Sequence, residues 1–397
     1  MPTAGASYPV VDARVRIHGV IWNALTGLSL GYALTELLDN LPTDKTEPYL
    51  WCLRGDLEAP RPFERVALPS FLFRLLCKAG VSFKLQGRLA SEVALRQIFA
   101  GDIVYIWPPY DLPLIRRARD RGAIVIAERT NCMAQMCRNV LAPAYARRGL
   151  PFPEDIFSRE DIAEELEQML ACDFVTAPNV FVAQSLRESG IANDRIIETS
   201  YGFSPERLGP ALTVERPKRP PIFAFVGLGI VRKGLDVLLE AWEKGSVNGS
   251  LLIAGLVSDE LRSAYSNVLE RPEVKDLGYV RDVASVYAAA DVFVFPTHEE
   301  GGPLVAYEAA ACGLASIVSP MGAGRILRHE VEALIVDPLD VDDLATAITS
   351  LAEDSDLRER LSVNVAARSK EFTWEMVGAR FFEQISAVAP NGIMVAS

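Results

Sequence analysis

Two carboxylates eight residues apart, Glu300 and Glu308, bracket a segment that contains Gly301, Gly302, Pro303 and Leu304. A carboxylate can accept paired hydrogen bonds from neighbouring hydroxyls, and it can stabilise positive charge that develops beside it. Gly301 and Gly302 allow a tight turn, and Pro303 suits the first position of a helix, where its missing N–H costs nothing. The apolar run Asp291 to Pro296 just before them reads as a buried strand, so the helix N-terminus is aimed at the crevice beyond that strand. Ligands of doubly wound sheets bind in that crevice, where a helix N-terminus offers N–H groups and partial positive charge to an anion. A diphosphate suits such a place. Upstream, Arg232 and Lys233 stand together at a helix start, a position the dipole disfavours for cations unless an anion compensates them. A carboxylate pair alone would suggest a glycosidase, but one beside a phosphate-binding pattern argues against it.

These residues need elements to hold them. Short apolar runs recur between helical patterns at 14 to 20, 49 to 53, 102 to 107, 123 to 128 and 173 to 178. The rhythm restarts at 222 to 227, 251 to 255, 276 to 280, 291 to 296, 315 to 320 and 333 to 336. Runs apolar on both faces suit buried parallel strands in βαβ repeats. The stretch between the two series, residues 204 to 223, holds five prolines without periodicity and reads as an exposed linker. The expected organisation is therefore α/β, with a first Rossmann-like domain over 1 to 210 and a second over 211 to 372. A C-terminal segment over 373 to 397 is expected to return to the first domain.

With these pieces in place, the chain resembles the group 1 glycosyl transferases, the retaining family four enzymes of GT-B fold. Their Glu-x7-Glu signature is matched by Glu300 to Glu308, preceded by Pro296-Thr297 and followed by Cys312-Gly313. Phe225-Val226-Gly227, Arg232 to Asp236, Leu252 to Gly255, Gly278-Tyr279-Val280 and Ala290-Asp291-Val292 follow the family's order, so the resemblance covers about residues 170 to 385. It implies two Rossmann-like doubly wound domains facing across a cleft, and a nucleotide-diphosphate sugar as donor, UDP- or GDP-linked. Lys233 would meet the diphosphate, Glu308 the ribose hydroxyls and Glu300 the transferred sugar, with the backbone of Gly301, Gly302, Pro303 and Leu304 lining both. Val280 falls where the family's backbone meets the base. No metal and no cofactor are implied. The chain departs from the family in carrying Leu228 where an Arg is common, and Arg232 either substitutes for that cation or does not.

The first domain gives weaker signals. Gly27 lies in a loop that would face the donor phosphates. Glu128, Arg129 and Asn131 follow a buried strand and have either an acceptor or leaving-group role or a capping and core-pairing one. None of the three histidines, His18, His298 and His329, falls in the loop where many family members carry an active-site His. His298 either packs the donor loop or serves the site.

A formal net charge of −12 argues against a nucleic-acid partner, since such proteins need a basic face. Six scattered cysteines without metal-ligand spacing read as reduced core thiols. The first residues do not read as a signal peptide and no run is long enough to span a bilayer, so a cytoplasmic protein is expected. The run from Arg65 to Arg88 carries five cations, no acidic residue and an apolar side. It is either a helix packed on the sheet or a contact with an anionic membrane's inner face or a lipid-linked acceptor. A glycan and a small molecule remain as other acceptors. Two rival readings share the architecture: a sugar-nucleotide epimerase, and a non-catalytic nucleotide-sugar sensor or scaffold.

Overall fold

The computed structural model describes residues 14–24, 29–54, 61–153, 157–214, 216–217, 219–245 and 247–388. β1 (Val15–Ala24), β2 (Thr46–Arg54), β3 (Glu64–Val66), β4 (Ile103–Ile106), β5 (Ile124–Glu128), β6 (Phe174–Ala177) and β7 (Ile196–Glu198) form a seven-stranded sheet, ordered β3-β2-β1-β4-β5-β6-β7. β8 (Ile222–Val226), β9 (Ser250–Ala254), β10 (Val274–Gly278), β11 (Val292–Phe295), β12 (Ala315–Val318) and β13 (Ala333–Ile335) form a second, ordered β10-β9-β8-β11-β12-β13. The recorded pairings in both are parallel, such as Ile17 with Ile103 and Val226 with Ala254. All four residues of β4, β11 and β12 are buried, as expected of strands with helices on both faces.

The sequence order of each sheet reverses once, between β1 and β4 in the first and between β8 and β11 in the second. Such a switch point opens a crevice, because the loops leaving the two adjacent strands run to opposite faces. In the second sheet those loops carry Arg232-Lys233 after β8 and Glu299-Glu300 after β11.

Contacts divide the chain into two compact units. One comprises residues 1–128, 168–175 and 378–397, and the other residues 129–167 and 176–377. Within the first, Trp51 Nε1 donates to His18 Nδ1 at 3.0 Å, which leaves Nε2 to donate to Asp102 at 3.1 Å. His18 is therefore a satisfied core side chain. The helix Trp374–Val388 begins with Trp374 N–H donating to the Phe203 carbonyl, and farther along it sets Phe381 against Tyr105. Within the second unit, the helices Leu235–Lys244 and Val341–Glu353 pack together and bury Leu238, Trp242, Leu344 and Ile348.

Four parts of the chain differ from the sequence reading. β3 and β7 have three residues each, too short to show a periodicity. β10 begins two residues earlier than the apolar run suggested, so Val280 lies just beyond it. The run from Arg65 to Arg88 is not one helix: it enters through β3 and continues in two helices, Ser70–Lys78 and Phe83–Leu95. Phe71 and Leu75 are exposed on the first, Phe83, Leu85 and Leu89 on the second. The second helix buries Gln86, Gly87, Ala90, Ser91, Ala94 and Leu95 instead.

Candidate functional site

The turn that carries the cations is a 3-10 turn, Val231–Lys233, closed by Gly234 in the left-handed region at φ 73°. A side chain at Gly234 would bring its Cβ to 2.0 Å from the Pro296 carbonyl, so both the dihedral and the space demand glycine. The loop after β11 is stitched to this turn. His298 N–H donates to the Arg232 carbonyl at 2.9 Å, and Thr297 Oγ1 lies 3.0 Å from the Arg232 and Glu299 carbonyls. Lys233 and Glu300 form an ion pair, with Lys233 Nζ 5.8 Å from the centre of the Phe295 ring. Arg232 Nη1 reaches Glu299 Oε2 at 3.1 Å. Two adjacent cations thus face two adjacent carboxylates across the switch point.

Glu299 is 1% exposed and fully dressed. Besides Arg232, it accepts Asn131 Nδ2 at 2.9 and 3.2 Å and the Cys132 N–H at 3.1 Å. Buried carboxylates persist only when paired and hydrogen-bonded in this way. Arg232 thus pairs with Glu299, while Leu228, where the resembling family commonly carries an Arg, is exposed.

Gly301 and Gly302 do not serve a positive-φ turn. A Cβ on Gly301 would sit 2.0 Å from the Thr130 carbonyl, and one on Gly302 would sit 2.3 Å from the Tyr201 ring. Their role is close approach. Pro303 caps the helix Leu304–Ala311, one position earlier than expected, with Leu304 N–H already bonded to the Gly302 carbonyl. On that helix Ala306 to Ala311 are buried, and Glu308 is held by Tyr287 Oη at 3.0 Å and Arg207 Nε at 3.4 Å. Burial raises the Glu308 carboxyl above its usual range, with Arg207 opposing.

The first-domain candidates separate. Glu128 is buried and takes a hydrogen bond from the Tyr105 hydroxyl. Arg129 is buried and paired with Glu165 at 2.7 Å, and it donates to the Cys132 carbonyl at 2.7 Å. Both fit the core-pairing alternative. Asn131, half-buried, reaches the donor loop through Glu299. Val280 is half-buried, and Gly27 lies outside the described residues. Sequence reasoning assigned no role to Glu299, Tyr287, Arg207 or Tyr201. Glu299 has no motif of its own beside Glu300; its signal is that two consecutive acids match two consecutive bases, Arg232 and Lys233.

Residues 220–354 match the family described as "Glycosyl transferases group 1". That stretch of the chain, which holds Arg232, Lys233, Glu300 and Glu308, is similar to the group 1 glycosyl transferases. A D-inositol 3-phosphate glycosyltransferase of Xylanimonas cellulosilytica is 30% identical over 187 residues, 45% of this chain and 43% of that one. The N,N'-diacetylbacillosaminyl-diphospho-undecaprenol alpha-1,3-N-acetylgalactosaminyltransferase of Campylobacter jejuni is 23% identical over 53% of this chain and 59% of its own. The match thus spans about half the length of these curated relatives. The crystal structure of HepE from Anabaena in complex with UDP and glucose superposes with a TM-score of 0.66 at 15% identity, covering 94% of this chain and 100% of that one. The fold of the chain is GT-B. Among the described residues no helix is long and apolar enough to cross a membrane, and no group of three His, Cys, Asp or Glu side chains could hold a metal ion.

His298, between Thr297 and Glu299, is 3% exposed, and its Nε2 has no hydrogen-bond partner among the described residues. Burial first, then Arg147 and Arg148, lowers its pKa to about 4, with Asp337 opposing. The unfolded chain binds the proton more readily, so the contribution of neutral His298 is complete above about pH 6.5 and is lost as pH falls toward 4. The loss between pH 7 and pH 5 should be about 2 kcal/mol. Urea midpoints of wild type and His298→Gln at the two pH values check this: the variant should be the less pH-sensitive, and equal sensitivity would contradict the assignment.

Proposed function

We propose that this chain transfers a sugar, with retention of anomeric configuration, from a nucleotide-diphosphate sugar to an acceptor hydroxyl without a metal ion. The observation that carries the reading is the placement of Lys233 and Glu300 on the loops leaving β8 and β11, with Glu308 in the second turn of the helix that follows. In this reading the diphosphate takes Lys233 from Glu300, and Glu300 is released to position the sugar. The bond from the anomeric carbon to the diphosphate breaks and its electron pair leaves on the phosphate. The acceptor oxygen bonds to the anomeric carbon, and its proton ends on the diphosphate. Lys233 and the N-terminus of the helix Leu304–Ala311 stabilise the departing charge electrostatically. Glu308 accepts from the ribose hydroxyls, and the backbone of Val280 meets the base. The complex of HepE with UDP and glucose supports a UDP-linked donor.

A lipid-linked acceptor at an anionic membrane surface is part of the proposal. The Campylobacter relative is named for a diphospho-undecaprenol acceptor. In this chain Phe71 and Leu75, and Leu85 and Leu89, are exposed pairs four residues apart, so each pair shares a helix face. Arg74, Lys78, Lys84 and Arg88 are exposed beside them. Apolar side chains ringed by cations fit the boundary between anionic headgroups and acyl chains.

Lys233→Ala and Glu308→Gln should each weaken donor binding and turnover about ten- to hundredfold, the cost of a charge-assisted bond lost in a cleft. Release of nucleoside diphosphate, with proton NMR of the product's anomeric signal, checks transfer and retention together. Wild-type affinity and activity in both variants, or an inverted product, would overturn the corresponding part.

Phe71→Ser/Leu75→Ser should leave stability within about 0.5 kcal/mol, as for exposed positions, while lowering sedimentation with anionic vesicles at low salt. Each lost cation in Arg74→Glu/Lys78→Glu should remove about 1 kcal/mol of that binding. Wild-type protein that ignores anionic vesicles would remove the membrane part and leave the donor reading standing.

A further inference from the structure

Glu299 has an unusual burden for a side chain next to a reacting centre. Its carboxylate is almost wholly removed from solvent, yet it accepts from two other chain segments and so ties three together. Asn131 Nδ2 and the Cys132 N–H come from one, Arg232 from the turn after β8, and Glu299 itself lies in the loop after β11. The bonds to Arg232 and Asn131 use Oε2, those to Cys132 and, more distantly, Asn131 use Oε1. Four contacts at 2.9 to 3.2 Å fix the carboxylate plane as well as its position.

What it fixes is the neighbourhood of Lys233 and Glu300. Arg232 adjoins Lys233, and Glu299 adjoins Glu300, so one bond between the first members of each pair sets the register of the second members. On the other side, the Thr130 carbonyl and Asn131 N–H press on Gly301, where a Cβ would come within 2.0 and 2.7 Å. Holding Asn131 and Cys132 against Glu299 therefore also holds the wall behind Gly301.

We propose that Glu299 is a positioning residue for sugar transfer: it touches neither sugar nor diphosphate, and it locks the Asn131-Cys132 segment and the Arg232-Lys233 turn into one register with Glu300. The inference rests on the transfer reading above and adds a residue to it. Donor affinity depends on Lys233 and Glu308 and stays close to normal without Glu299. Turnover depends on alignment of the reacting groups, where displacements of about an ångström cost about a hundredfold.

The first test is Glu299→Gln, which keeps the shape but turns one acceptor oxygen into a donor facing other donors. Its dissociation constant for UDP, or for whichever nucleoside diphosphate the wild type binds, should stay within about threefold, while kcat falls about ten- to hundredfold. The exchange Asn131→Asp/Glu299→Gln restores an amide-to-carboxylate bond across the same gap and should regain kcat over Glu299→Gln. Should Glu299→Gln fail to fold, Asn131→Asp serves in its place. It sets two carboxylates against each other, so turnover should be poor at neutral pH and recover as pH falls, and the exchange variant should exceed it. Wild-type kcat in Glu299→Gln, wild-type turnover of Asn131→Asp at neutral pH, or no recovery in a folded exchange variant would overturn the proposal. Loss of nucleoside diphosphate binding in Glu299→Gln as deep as in Lys233→Ala would overturn it too, by placing Glu299 on the donor. If the wild type transfers no sugar, the transfer reading falls first; Glu299 as a lock is then judged by amide exchange at Cys132, which should accelerate in Glu299→Gln and would contradict the lock if unchanged.

Discussion

The second unit is organised around a charge constraint at the β8/β11 switch point: two consecutive cations on one loop must meet two consecutive carboxylates on the next. Neither set is tolerable alone. Arg232 and Lys233 sit in a turn immediately before the helix Leu235–Lys244, where the dipole opposes positive charge. Glu299 lies in a place with almost no access to water, where an unpaired carboxylate would cost several kcal/mol. Each loop makes the other possible, and the bonds from the His298 N–H and the Thr297 hydroxyl to the Arg232 carbonyl keep the two at that spacing.

The two pairs built on this constraint differ in kind. The Arg232–Glu299 pair is saturated by Asn131 and Cys132 and has the character of a rivet. Under the proposed transfer, the Lys233–Glu300 pair is the one that an incoming diphosphate breaks by offering more negative charge, without disturbing the loops that present it. Adjacent residues would then divide the work of holding and of binding. Glu308 follows the same logic deeper in, where burial raises its pKa and Tyr287 and Arg207 fix its orientation. Cys312, at the end of the same helix, is pushed up to about 12 by burial, so it packs as an uncharged side chain.

Much of this was legible in the sequence, and what was not has identifiable causes. Strands buried on both faces declare themselves as apolar runs, so β4, β8, β11 and β12 were readable, whereas β3 and β7 are three residues long and have no pattern to show. The Glu300 to Glu308 spacing announced itself because both residues lie on one local strand-to-helix connection. Glu299 did not, since its partners Asn131 and Cys132 come from 168 and 167 residues earlier, and only folding brings them together. Arg129 and Asn131 looked alike in sequence and part company because Glu165 claims one and Glu299 the other. Gly301 and Gly302 were read as turn formers, whereas in the fold their neighbours Thr130 and Tyr201 forbid a side chain, a fact that local turn chemistry does not contain. The Arg65 to Arg88 run left packing and exposure open, and exposure of Phe71 and Leu75 follows from a helix that breaks after Lys78 and leaves burial to Gln86, Ala90 and Ala94.

The claim on which the rest depends is that this switch point receives a nucleotide diphosphate. Thermal unfolding of the wild-type protein with millimolar UDP-, GDP-, ADP- and TDP-sugars measures it directly, because a ligand that binds the folded state raises the midpoint by mass action. A rise of several degrees with one nucleotide class, saturable and reproduced by the corresponding free diphosphate, is the predicted result. No shift with any of the four would contradict the account.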